Sequence, residues 1–177
     1  MFSVAANYEL PFGKGKAYDL SGPADVAFGG WRVNTIFQAR TGLALTVYDS
    51  AGQSFQATRS FERPDRLCKG DTNASGPDDV WLDINCFAHA APGTFGNSGV
   101  GILHGPGYWN ADLGLSKDIH FGERYATFKI EAFNVFNHPN FALNQDRANI
   151  ADPANFGRIG NTFSAPRIVE LVIKFTY

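Results

Sequence analysis

No run in this 177-residue sequence approaches the 18 or so consecutive apolar residues that a membrane-spanning helix requires, which excludes a helical membrane protein. It does not exclude a β-barrel, whose alternating strands score weakly on hydropathy. Charge is scarce: 18% of residues are charged, against roughly 25% in soluble domains. The net charge of −2 gives no basic surface for nucleic acid or for an anionic membrane face. Met1 is the sole methionine and leads straight into Phe2-Ser3-Val4-Ala5-Ala6, without the basic start, apolar core or cleavage site of an export signal. The expectation is that the true N-terminus lies upstream of Met1.

What is present suits strands and turns. Phe is unusually common, with 16 copies, beside 19 Gly and 9 Pro; aromatics favour strands, and Gly and Pro favour turns. Five segments alternate with period two, approximately residues 2–10, 30–40, 108–119, 125–137 and 167–177. In the last, Val169, Leu171, Ile173, Phe175 and Tyr177 fall on one face, against Ile168, Glu170, Val172, Lys174 and Thr176. In the third, Trp109, Ala111, Leu113 and Leu115 oppose Asn110, Asp112, Gly114 and Ser116. In the fourth, Phe128, Ile130, Ala132 and Phe136 oppose Thr127, Lys129, Glu131, Phe133 and Val135. The second sets Trp31, Val33, Phe37 and Ala39 against Arg32, Asn34, Gln38 and Arg40, with Ile36 the exception. The first sets Phe2, Val4, Ala6, Tyr8 and Leu10 against Ser3, Ala5, Asn7 and Glu9.

Alternation alone does not separate a soluble core from lipid. Length does: about 9–13 residues match a tilted transmembrane strand better than the roughly 5–6 of a globular one. Tyr8, Trp31, Trp109, Phe136 and Tyr177 sit near strand ends, where an interfacial girdle belongs. The fold class expected is therefore all-β, an antiparallel transmembrane β-barrel. Five strands cannot close a barrel, and an open edge in lipid leaves backbone groups unpaired, so the chain reads as a barrel fragment.

The connections are unequal. Residues 120–124 form a tight turn, whereas 41–107 and 138–165 are long. Outer-membrane barrels have short periplasmic turns and longer extracellular loops. With Tyr177 in the periplasm, strand parity places both long loops outside. The connection from Pro11 to Gly29 then falls in the periplasm and is longer than such turns usually are.

Several ordered stretches carry a family resemblance: Glu9-Leu10-Pro11-Phe12-Gly13-Lys14-Gly15, Gly29-Gly30-Trp31 through Thr41-Gly42-Leu43, and Arg63-Pro64-Asp65-Arg66. Further on come Gly93-Thr94-Phe95-Gly96-Asn97, Gly105-Pro106-Gly107-Tyr108-Trp109-Asn110-Ala111-Asp112-Leu113, and Glu131-Ala132-Phe133-Asn134-Val135-Phe136-Asn137-His138-Pro139-Asn140-Phe141. Together they resemble the C-terminal part of Oar-like TonB-dependent receptors of the Gram-negative outer membrane. The resemblance implies the last five or so strands of a plugged barrel of roughly 22. It also implies TonB as partner through an upstream region, with the plug and export signal outside this sequence. Ile173, Phe175 and Tyr177 resemble the terminal signal that the barrel-assembly machinery reads.

On this scheme Glu9, Arg32, Arg40, Asp112, Lys129, Glu131, Glu170 and Lys174 line the lumen, pairing across strands or bordering a solute path. Asp112 and Glu131 lack the substrate cleft an acid–base pair needs, so no enzyme, catalytic residue or cofactor is expected. Cys68 and Cys86 read as a disulfide in an exported chain. Two free thiols, or a metal site drawing on His89, are the other readings; with no C-x-x-C pair and three candidate ligands, the metal reading falls short. Asp65, Asp71, Asp78, Asp79 and Asp83 read as a solvated acidic loop without EF-hand spacing, and Trp81 and Phe87 as its packing. The glycines of Gly13-Lys14-Gly15-Lys16 and Gly99-Val100-Gly101 lack phosphate-loop and dinucleotide spacing and read as turns.

Two functions follow from these features. One is energised uptake of an extracellular solute that the sequence does not name. The other is an outer-membrane barrel for surface binding, adhesion or secretion without import.

Overall fold

The computed structural model describes residues 1–52 and 61–177. In chain order its strands are β1 (Phe2–Glu9), β2 (Trp31–Arg40), β3 (Ala44–Leu45), β4 (Asp65–Arg66), β5 (Phe87–Ala88) and β6 (Leu103–His104). They continue with β7 (Tyr108–Phe121), β8 (Arg124–Phe133), β9 (Phe141–Ala142), β10 (Asn161–Thr162) and β11 (Ile168–Thr176). A helix α1 (Pro23–Phe28) precedes β2. The chain divides into two units.

The first unit comprises Met1–Arg40, Trp109–Pro139 and Ala165–Tyr177. Its five long strands form one sheet in the order β1-β2-β7-β8-β11, with β1 and β11 at the two edges. β1 pairs with β2, β7 with β8 and β8 with β11, each antiparallel. Because opposed residues share a face, register fixes both faces. Val4 meets Phe37, Tyr8 meets Val33, Leu115 meets Ile130, and Ile173 meets Phe128. Glu9 meets Arg32, Ser116 meets Lys129, and Lys174 meets Thr127 on the reverse side. The sheet is open, and no closed barrel forms among the described residues.

The β7–β8 hairpin is tighter than the five-residue turn read from the sequence. Both strands extend into it, leaving Gly122-Glu123 between Phe121 and Arg124. Gly122 takes φ +71°, the left-handed conformation a two-residue hairpin favours and glycine adopts without penalty.

Strand β8 ends earlier than the expected 137. Asn134 (φ +49°) and Asn137 (φ +51°) are both left-handed, a conformation asparagine tolerates better than most residues. The Asn134 amide makes the turn worth forming. Its Oδ1 accepts from His138 N at 2.9 Å, and its Nδ2 donates to the carbonyls of His138 and Ala165 at 3.1 Å each. Asn137 Oδ1 accepts from Arg167 N, tying the approach of β11 to the exit of β8. Phe136 therefore lies beyond the strand and does not take part in its alternation.

The second unit comprises Thr41–Tyr108 and Asn140–Ser164. Both long connections, read as loops from the sequence, build it. Its strands are only two residues long and pair as β3–β6, β4–β5 and β9–β10. A hydrophobic cluster holds it: Leu45, Val47, Leu82, Phe87, Leu103 and Phe156 are among its buried members. Phe87 and Phe156 bring their ring centres to 6.1 Å, and Trp81 packs on the cluster while its Nε1 donates to Gly76 O.

Candidate functional site: the two faces of the wall and the loop unit

Among the described residues, much of the sheet's apolar face lies open. On β11, Val169, Leu171, Ile173 and Phe175 are 57–72% exposed, whereas Leu82 and Val47 in the second unit are fully buried. A contiguous apolar surface of this kind marks a face that meets lipid or another apolar partner. Rings mark both limits of the face. At the long-connection end, Phe2, Phe37, Trp109 and Phe136 run across the sheet with successive centroids 6.3, 6.3 and 5.8 Å apart. At the hairpin end stand Tyr8, Trp31, Phe121 and Tyr177, with Trp31 edge-on to Phe128 at 6.3 Å. The path along β7 from Trp109 to Phe121 is about 40 Å at the usual rise per residue. Tilted by 45°, it is about 28 Å tall, close to the apolar band of an outer-membrane barrel.

The reverse face is polar, and all eight residues read as lumen-lining share it by register parity. Near the hairpin end, Arg32 of β2 pairs with Asp118 of β7, and Thr127 of β8 donates to the same carboxylate at 2.6 Å. This chain crosses three strands, yet neither Asp118 nor Thr127 stood out in the sequence. Glu9 pairs with Lys16 at 2.8 Å. Asp112 Oδ1 accepts from Asn110 Nδ2 and Asn134 N. Glu131 and Glu170 face each other directly, with Lys129 one row away opposite Val172. Glu9, Lys16, Arg32, Asp118 and His120 border a cavity of about 430 Å³ at this end.

Lys117 breaks the apolar face. It lies opposite Phe128 yet is only 5% exposed. Its ammonium donates to the Gly29 and Asp25 carbonyls and sits 5.6 Å from the centre of the Trp31 ring. The Asp25 and Gly29 carbonyls at the end of α1 and the ring's negative face satisfy the cation.

In the second unit Cys68 and Cys86 form a disulfide. His89 places Nδ1 2.6 Å from Asp49 Oδ2; Asp49 is 1% exposed and also accepts from Ala51 N. Among the described residues no group of three His, Cys, Asp or Glu is arranged to hold a metal. The acids act locally. Asp65 accepts from Asn97 N, and Asp83 caps the turn at Ile84–Cys86. Asp71 pairs with Lys69 at 2.7 Å, which holds its carboxyl below the ordinary range. Asp79 is likewise lowered because Ser75 N and Gly76 N donate to it. Burial raises the Tyr48 phenol.

A sheet with one largely open apolar face, one charged face and aromatic belts at both limits is the wall of a membrane β-barrel. The family model of an outer membrane beta barrel domain matches residues 1–170, and the chain belongs to that family. Its place is the outer membrane. No curated protein and no solved structure matches it.

Proposed function

We propose that the chain forms part of the wall of a TonB-dependent receptor that imports a bulky solute, in a barrel of roughly 22 strands. The ordered motifs of the Oar-like group support this reading. The observation that carries it is the second unit. A barrel that only spans a membrane needs no independently packed structure between its strands. Here the long connections build a hydrophobic cluster closed by a disulfide. Such a unit suits ligand capture at the extracellular face, while the polar face of the sheet borders the route inward.

The same reading gives the chain no enzymatic step and no cofactor. Asp112, weighed with Glu131 as an acid pair, has an oxygen committed to Asn110 and Asn134. The partners are lipid, the barrel-assembly machinery reading Ile173, Phe175 and Tyr177, and the TonB complex acting through a plug region. The test is solute accumulation by cells producing the full-length protein, with and without TonB. Uptake that requires TonB is expected. Equal accumulation in both strains, with surface binding retained, contradicts import and favours adhesion or secretion.

A further inference from the structure

The connection between β1 and β2 leaves its large rings as open as its charges. A turn in water buries its apolar side chains and exposes its charges. Here α1 buries no residue, and Phe28 and Tyr18 are 66% and 61% exposed, while nearby Lys117 is almost wholly covered. Phe12 and Tyr18 stack at 5.1 Å with the Tyr18 ring still open.

Lys16 pairs with Glu9 of the polar face at 2.8 Å, and two further side chains fix where the α1 end of this connection lies. Trp31 and Lys117 both belong to the apolar face, since Lys117 opposes Phe128 and Trp31 contacts the Phe128 ring. Both donate to α1: Trp31 Nε1 to Ala27 O at 3.0 Å, and Lys117 Nζ to the carbonyls of Asp25 and Gly29. Gly29 permits this fold-back; a Cβ there would lie 2.1 Å from Asp25 Oδ1 and 2.9 Å from the Gly13 Cα. The end of α1 is thus moored to the apolar side of the sheet, at its hairpin limit. Phe28 closes this helix with its ring open.

We propose that α1, at the end of the 11–30 connection, is an interfacial anchor, seated in the phospholipid headgroup region beside the wall, with Phe28 immersed at the headgroup–acyl boundary and Lys117 as its mooring. The occupant is phospholipid because α1 is moored to the lipid-facing side of the wall. An amphipathic segment lying in that plane buries its apolar side about 5–10 Å deep. A basic stem reaching from the apolar zone to polar atoms is the usual way a lysine is accommodated there. The inference rests on the apolar face meeting lipid.

The test uses the full chain in vesicles of phosphatidylcholine carrying bromine at the upper acyl positions, with the native disulfide intact. A bimane label is placed in turn at Phe28→Cys, Leu171→Cys and Glu123→Cys. Bromine should quench the label at position 28 comparably to position 171, and several-fold more than position 123 in the hairpin turn. Quenching at 171 with none at 28 overturns the anchor and leaves the wall standing; no quenching at either overturns both. Adding Lys117→Met should lower quenching at 28 and leave 171 unchanged. Quenching at 28 that survives this substitution overturns the mooring.

Discussion

Glu131 of β8 and Glu170 of β11 stand directly opposite one another on the polar face of the sheet. Like charges in that position destabilise a strand pair by about 0.2–1 kcal/mol. Lys129, diagonal to Glu170, offsets part of this. Glu131→Gln should therefore raise the midpoint of thermal unfolding in detergent, and Lys129→Met should lower it. The opposite order would show that the pair is held by something other than this sheet.

The turn after β8 depends on one amide. Asn134→Ala removes three hydrogen bonds, strains a left-handed residue and leaves the Asp112 carboxylate with one donor fewer if the backbone relaxes. A loss of about 1–3 kcal/mol is expected. Asn134→Gly relieves the backbone strain alone and should recover only a part. Stability of Asn134→Ala equal to that of the unsubstituted protein would show that the side chain contributes nothing.

The disulfide closes a loop with a sequence separation of 18. A crosslink of that span contributes about 3 kcal/mol. Reduction should lower the unfolding temperature of the second unit and leave the sheet's strand signal intact. Two thiols should become alkylatable only after reduction. Alkylation of the unreduced protein would contradict the pairing.

Asp79 makes one turn pH-sensitive. Its folded carboxyl titrates below the ordinary 3.8 because Ser75 N and Gly76 N donate to it. The stabilisation is therefore complete above that value and fades as pH falls through the lower folded pKa. The Asp79 carboxyl carbon shift should show a midpoint under 3.8. A midpoint at or above it would contradict these hydrogen bonds.

The wall was largely legible in the sequence because its physics is local. A strand in lipid repeats apolar and polar side chains every two residues, as Val169 to Phe175 do, and no distant residue needs to be known. The limits were less legible. Asn134 and Asn137 carry no alternation signal, and only their backbone angles reveal that β8 has ended. Lys117 gives no signal in the sequence, since its partners are backbone carbonyls that sequence does not display. The second unit was read as loops. Its cluster joins Leu45, Leu82, Leu103, Leu143 and Phe156 from separate segments whose ladders are too short for periodicity. The pairing of His89 with Asp49, 40 residues apart, left no trace in spacing.

Everything turns on which side of the sheet meets hydrocarbon. Spin labels placed singly from Ile168 to Thr176, in the bilayer-reconstituted protein, read this directly through oxygen and water-soluble nickel relaxation. Positions 169, 171, 173 and 175 should favour oxygen, and positions 170, 172 and 174 nickel. Equal access on both sides, or shielding of 169–175 from both reagents by protein, would contradict the account.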